Sequence, residues 1–175
     1  DDRDMCAKYK VPLMITSLRA PHQAVEVARS YGGKVFHDVV SVRHAEKAIE
    51  AGVDGLILVC AGAGGHAGTL SPFALVNEVR SFWDGPIALS GSISRGNQIL
   101  AAEAMGADFA YMGTRFIATP EANADEAYKQ MLVDKSGFAI AVDRVSTIAS
   151  DRGGKAVKLS AKDGLLELSV TNPDH

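Results

Sequence analysis

The feature that most limits what this chain can fold into is a repeat. From residue 11, short apolar and β-branched runs alternate with amphipathic stretches of helical period, which predicts successive strand–helix units and a parallel sheet. Strands are expected at 11–17, 34–39, 55–60, 86–91 and 108–113, and helices at 21–31, 42–51, 72–82, 96–105 and 123–132. Pro21 and Pro72 sit where a first helical turn tolerates proline. Gly32, Gly33, Gly52 and Gly106 sit where helices end.

Two of the helix endings share a phrase, Ala51-Gly52-Val53-Asp54 and Met105-Gly106-Ala107-Asp108. In each, a glycine cap is followed by a small residue, an aspartate and a buried strand. The phrase and the unit length are those of (β/α)8 barrels, whose helices pack outside a ring of parallel strands. Five units are read here, whereas a barrel has eight and about 250 residues. The expected fold is therefore α/β, a partial (β/α)8 TIM barrel of about five βα units, strands 4–8, with the first three missing. The chain opens on Asp1 in a helix-like stretch, DDRDMCAKYK, which reads as a start inside a larger protein.

After Asp134 the repeat is lost. Residues 138–150 read as one amphipathic helix, and strand-like runs at 155–160 and 165–171 flank a Lys162-Asp163-Gly164 hairpin turn. Two domains follow: a barrel segment over 1–134, and a short helix plus β-hairpin over 135–175.

Composition narrows the function classes. The chain is 47% hydrophobic and 22% charged, as soluble globular proteins are. Its net charge of −3 leaves no basic footprint for nucleic acid and no polybasic membrane anchor. Cys6 and Cys60 make no disulfide framework, and no Cys/His spacing points to a metal. The apolar runs are too short to span a bilayer and no signal peptide is visible, so the expected compartment is the cytoplasm.

The chemistry concentrates at the ends of the last three strands. LVCAGAGGHAGTL, residues 58–70, places glycines at 62, 64, 65 and 68 around His66. Glycines let a ligand approach the main chain, and a histidine can move a proton near neutral pH. In a barrel this loop lies on the face that holds the active site. A glycine-rich turn carrying a solvent-exposed histidine is the plainer alternative. Gly91-Ser92 ends the fourth strand and Gly113-Thr114 the fifth. If these are barrel strands seven and eight, their N–H groups and hydroxyls are placed for a phosphate-bearing cofactor.

The segments GAGGHAGT, PIALSGSIS and GADFAYMGTRFIATPEA resemble three successive signatures of the nitronate monooxygenase (2-nitropropane dioxygenase) family, over about residues 4–134. That resemblance implies an FMN-binding barrel, an oxidoreductase that oxidises alkyl nitronates with dioxygen. It assigns His66 as the catalytic base, Gly64 as the glycine against the flavin, and Gly91, Ser92, Gly113 and Thr114 as the phosphate loops. The implied partners are a nitronate or nitroalkane and dioxygen, with a homo-oligomer among the expected assemblies. Three positions depart from the family pattern: Val59 stands where a flavin-contacting Gln is common, Gly62 where an acidic residue is usual, and Gly91-Ser92-Ile93 replaces Gly-Gly-Ile.

The tail, about 133–175, resembles a fragment of the bacterial DNA polymerase III beta sliding clamp. The alternative functions are thus a clamp-like DNA-replication fragment or an inactive chimeric fragment, although the tail's near-neutral charge argues against nucleic acid. A phosphate-binding barrel of the inosine monophosphate dehydrogenase type is a further alternative. It needs a loop cysteine, and Cys60 reads as a buried strand residue. His37 and Asp38 end the second strand and are expected to share a face with the site if they act there. His22 and His44 read as surface helix residues and Trp83 as packing, while Arg115 reads equally as a phosphate ligand or a salt-bridge partner.

Overall fold

A computed structural model describes residues 2–64, 68–134, 156–162 and 165–171. It divides into two compact units, Asp1–Thr114 and Arg115–His175. The first contains α1 (Asp2–Tyr9), β1 (Leu13–Thr16), α2 (His22–Tyr31), β2 (Lys34–Val39), α3 (Val42–Glu50), β3 (Gly55–Val59), α4 (Pro72–Arg80), β4 (Ile87–Ser90), α5 (Gly96–Ala104) and β5 (Phe109–Tyr111).

The five strands are parallel and lie in the order β1-β2-β3-β4-β5, with register Thr16↔His37, His37↔Leu56, Leu56↔Ile87 and Ala88↔Phe109. The order never reverses. Right-handed crossovers then bring every helix back to the same side, as in a barrel, whereas a doubly wound sheet changes direction and covers both faces. The core agrees: Val35, Val39, Leu56, Leu58, Ile87 and Leu89 pack against Val25 and Ala28 of α2, Ala45 and Ala48 of α3, Val76 and Val79 of α4, and Ala102 of α5. The opposite, inner face has its own small cluster, Ile57, Val59 and Ala88 with Phe36, Val40 and Ala63, and no helix residue among the described ones joins it. This is the partial α/β barrel read from the repeat.

β3 is buried at all five positions, as a central parallel strand should be. Leu56 and Leu58 are fully enclosed, each contributing about 1.5–3 kcal/mol by leaving water. The flanking strands are more open on the inner side: Ile15 is 48% and Phe109 56% exposed.

The repeated phrase proves to be an anchor. Asp54 donates its N–H to the Val35 carbonyl (2.8 Å), and its carboxylate accepts the Val35 N–H (2.9 Å). Asp108 does the same with Ile87, at 2.9 and 2.7 Å. Each aspartate therefore ties its own strand to the start of the preceding one. Lys34 bridges Asp54 at 2.8 Å and Arg80 bridges Asp108 at 2.6 Å. Both carboxyls feel burial that would raise them, but hydrogen bonds and nearby cations win and hold them below the ordinary carboxylate range. The preceding glycine is needed because the chain leaves the helix at positive φ, +84° at Gly52 and +102° at Gly106.

Strand and helix ends differ from expectation by a few residues. Asp108 is spent as the anchor, so β5 begins at Phe109, and Gly91 leaves β4 at φ +141°. The helix expected at 123–132 is α7 (Glu126–Asp134), because the Asp125 carboxylate accepts the Ala127 N–H at 2.8 Å and sets the start.

Beyond β5 a short helix, α6 (Thr114–Ile117), leads on, and the second unit contains α7. This unit also holds an antiparallel hairpin, β6 (Ala156–Lys162) and β7 (Leu165–Thr171), in register from Ala156↔Thr171 to Lys162↔Leu165. The hairpin falls where the alternating runs place it. The helix expected at 138–150 lies outside the described residues.

Candidate active site at the carboxyl ends of the strands

The loops leaving β3 and β4 are built as one piece. The Cys60 N–H donates to the Ser90 carbonyl (2.9 Å), and Ala61 N–H to Leu70 carbonyl (2.9 Å) closes the β3 loop at its base. Ser92 then holds the Gly62 carbonyl twice, through its N–H at 3.0 Å and its hydroxyl at 3.1 Å. At Gly91 a side chain would sit 2.8 Å from the Ala61 carbonyl oxygen, so only glycine lets the two loops lie this close. At the far end of the loop, a side chain on Gly68 would sit 2.2 Å from the Val59 oxygen and 3.3 Å from Val40 Cβ. Gly68 is thus pressed onto the inner-face end of β2 and β3.

Gln98 shapes the next turn. Its carbonyl oxygen accepts the N–H groups of Ser94 (2.8 Å) and Arg95 (2.9 Å), and its amide donates to the Ser92 carbonyl (2.9 Å). Sequence reasoning missed this residue, though a Gln three positions after a helix cap is a recognisable capping signal.

Gly64 and Gly113 differ from these packed glycines. Among the described residues nothing lies within 4 Å of where their side chains would begin, so their backbone is left bare at the rim. The register Ser90↔Tyr111 sets Gly91-Ser92 beside the chain leading to Gly113. Thr114 is exposed. Gly91 and Ser92 are thus joined directly to Ala61 and Gly62 in the loop that leads to Gly64, and the β4–β5 pairing sets them beside the chain leading to Gly113 and Thr114. The Ser92 hydroxyl is already engaged with Gly62, which leaves bare main chain as the main offering to an anion. His66 lies outside the described residues.

His37 and Asp38 do not share a face. Side chains alternate along a strand, so His37 points with Val35 and Val39 toward the helices. There it meets the Thr16 hydroxyl at 2.8 Å from Nδ1 and is 8% exposed. Burial holds its pKa below the ordinary value despite the opposing pull of Asp38. Asp38 points to the inner face, paired with Ile57. Its Oδ1 is closed off from solvent with no hydrogen-bond partner among the described residues. Burial raises this carboxyl, and a hydrogen bond from Ser17 offsets only part of the rise.

Cys60 is fully buried and burial pushes its thiol to about 11, so it is no nucleophile. Among the described residues no group of three His, Cys, Asp or Glu side chains could hold a metal ion, and no helix is long and apolar enough to cross a membrane.

A sequentially wound parallel sheet, helices over one face and glycine loops at the carboxyl ends, defines an α/β scaffold of barrel type. Residues 2–159 match the nitronate monooxygenase family, and the chain belongs to it. It is 31% identical to a nitronate monooxygenase of Paraburkholderia phytofirmans, over 60% of this chain and 31% of that protein. Among solved structures it resembles a FabK mutant from Thermotoga maritima, with 33% identity and a TM-score of 0.71 over 77% of this chain and 45% of that one. It also resembles a nitroalkane oxidase from Streptomyces ansochromogenes, with 28% identity and a TM-score of 0.67 over 76% and 42%. The chain spans about a third of the length of the curated relatives it matches, between 31% and 36% for the first three.

Proposed function

We propose that this chain carries the flavin-binding rim of an FMN-dependent oxidoreductase that oxidises small alkyl nitronates with dioxygen. The observation that carries the reading is the bare backbone at Gly64 and Gly113, with no described residue within 4 Å of where side chains would stand, on a rim whose neighbouring loops are hydrogen-bonded together. FMN fits such a rim. The main chain of Gly91-Ser92 and Gly113-Thr114 would hold the phosphate, and Gly64 would lie against the ring. FMN, when bound, supplies the electron transfer between substrate and dioxygen.

The chain's own residues do the rest. His66, by the family signature GAGGHAGT, would take the α-proton of a nitroalkane or hold a proton beside a nitronate already formed. Gly91 and Ser92 fix the loop that carries it, and Ile57, Val59 and Ala88 give the substrate's alkyl group an apolar floor. For the tail, the sequence reading is a sliding-clamp-like helix and hairpin over 135–175; the antiparallel register of β6 and β7 agrees with its hairpin, while the nitronate monooxygenase match runs into the same segment as far as residue 159.

Titration of the purified chain with FMN, followed by quenching of flavin fluorescence, tests the reading. Saturable binding is expected in the wild type and in His66→Ala, and its loss in Gly113→Trp. Oxygen uptake with propane-2-nitronate should disappear in His66→Ala while FMN binding stays. No saturable binding in the wild type would refute the flavin assignment.

A further inference from the structure

Ser92 stands in a backbone conformation that glycine adopts freely and serine does not. Its φ is +51°, in the left-handed region that crowds any residue with a side chain. Three hydrogen bonds hold it there. Its N–H and hydroxyl donate to the Gly62 carbonyl at 3.0 and 3.1 Å, which ties down the β3 loop leading to Gly64. On the other side its own carbonyl accepts the Gln98 amide N–H at 2.9 Å. Gln98 is half-buried in the first turn of α5, and its side-chain oxygen accepts the N–H groups of Ser94 at 2.8 Å and Arg95 at 2.9 Å. Ile93 lies between these held residues and packs against the core, so Gln98 grips a turn that is already pinned at its centre.

Helix capping explains only half of this arrangement. The Gln98 oxygen alone closes the first turn of α5, and a glutamate at the same position would do so too and gain from the helix dipole. What glutamate lacks is the N–H that reaches back to the Ser92 carbonyl, six residues earlier. We propose that Gln98 is a positioning residue of the candidate site. Its amide keeps Ser92 in the left-handed conformation that aims the Ser92 N–H and hydroxyl at Gly62, and so sets where the β3 loop stands against the β4–α5 turn. The inference rests on the proposed cofactor rim and names the group that holds that rim in register. Gln98 acts through Ser92 and touches no ligand in this role.

Gln98→Glu in the full chain separates the two roles, since it keeps the cap and removes the donor to Ser92. Its melting temperature is expected to match or exceed that of the wild type, while FMN, titrated by fluorescence quenching, binds about tenfold more weakly. Amide hydrogen exchange followed by NMR should speed up about tenfold at Ser92 and stay slow at Ser94 and Arg95. Adding Ser92→Gly to Gln98→Glu should bring FMN affinity back to within about threefold of wild type, because glycine takes a positive φ without a tether. A purely structural Gln98 would instead lower melting temperature and FMN affinity together, and a simple charge repulsion of the phosphate would persist after the glycine is added. Either of those patterns, or unchanged exchange at Ser92 in Gln98→Glu, would overturn the proposal. A wild type that takes no FMN while the exchange pattern holds would remove the flavin reading and leave the grip of Gln98 on Ser92 standing.

Discussion

Phe36 and Phe109 meet on the inner face with ring centroids 6.2 Å apart and planes tilted by 58°, although β3 and β4 lie between their strands. Three strand spacings of about 4.8 Å each separate β2 from β5 along a flat sheet. Part of that gap closes because the Phe36 ring leans across Gly55, where a side chain would come within 2.5 Å of it. The remainder is curvature: the sheet curls toward its inner face, as a barrel wall does.

The aromatic pair should therefore be energetically coupled. A double-mutant cycle on Phe36→Ala and Phe109→Ala, read by urea unfolding, is expected to give a coupling of about 0.5–1.5 kcal/mol. A value indistinguishable from zero would mean that the strands, not the rings, set the curl. Gly55→Val should destabilise by about 1–3 kcal/mol by pushing the Phe36 ring aside.

The two aspartate anchors set the acid stability of the unit. Asp54→Asn and Asp108→Asn are each expected to lower unfolding free energy at neutral pH by about 1 kcal/mol, the modest figure reflecting their partial exposure. Because both folded-state values lie below the unfolded ones, the stabilisation is complete above the ordinary carboxylate range. It is lost as pH falls through the depressed folded values. Thermal melts across acid pH should show wild type and variants converging at the low end; a constant gap would mean that the charge is irrelevant.

Asp38 should behave oppositely. Its raised value means the folded state favours the proton, so its contribution is lost as pH rises through the folded value. Asp38→Asn is expected to melt higher than wild type at alkaline pH, with the difference vanishing in acid. An equal or lower melting temperature at alkaline pH would contradict the burial account.

The rim glycines should separate by function. Gly91→Ala meets both a positive φ of +141° and the Ala61 oxygen, and should cost about 1–3 kcal/mol of stability. Gly113→Ala meets nothing within 4 Å among the described residues and has no positive φ, so its unfolding should change by less than about 0.5 kcal/mol while FMN affinity falls. Equal stability losses in the two variants would show that Gly113 is packed as Gly91 is.

Thiol labelling gives an independent check on the core. Cys60, buried with its thiol near 11, should resist iodoacetamide until the protein unfolds, whereas partly exposed Cys6 should react in the native state. Rapid native labelling of Cys60 would show that the β3 end opens.

The order of the strands was legible because alternation of apolar runs and helical stretches depends only on local chain chemistry. Asp54 and Asp108 could be recognised as a recurring phrase, but not as anchors, because their partners Val35 and Ile87 come from the preceding unit. His37 and Asp38 illustrate another gap. Period two already dictates that neighbours oppose one another, yet only the helices decide which of the two faces them. Ser92 looked like a phosphate donor from its place in the chain, and its bond to Gly62 depends on a loop thirty residues earlier. The curl of the sheet left no trace in the pattern beyond the small residues Gly55 and Ala88, which permit it without declaring it.

The strand sequence β1-β2-β3-β4-β5 has a temporal meaning. Each strand that leaves the ribosome finds its partner already laid down immediately before it, with its crossover helix to cover the seam. The first unit can therefore assemble in the order of its synthesis, one βα tile against the last, without waiting for a distant segment to arrive.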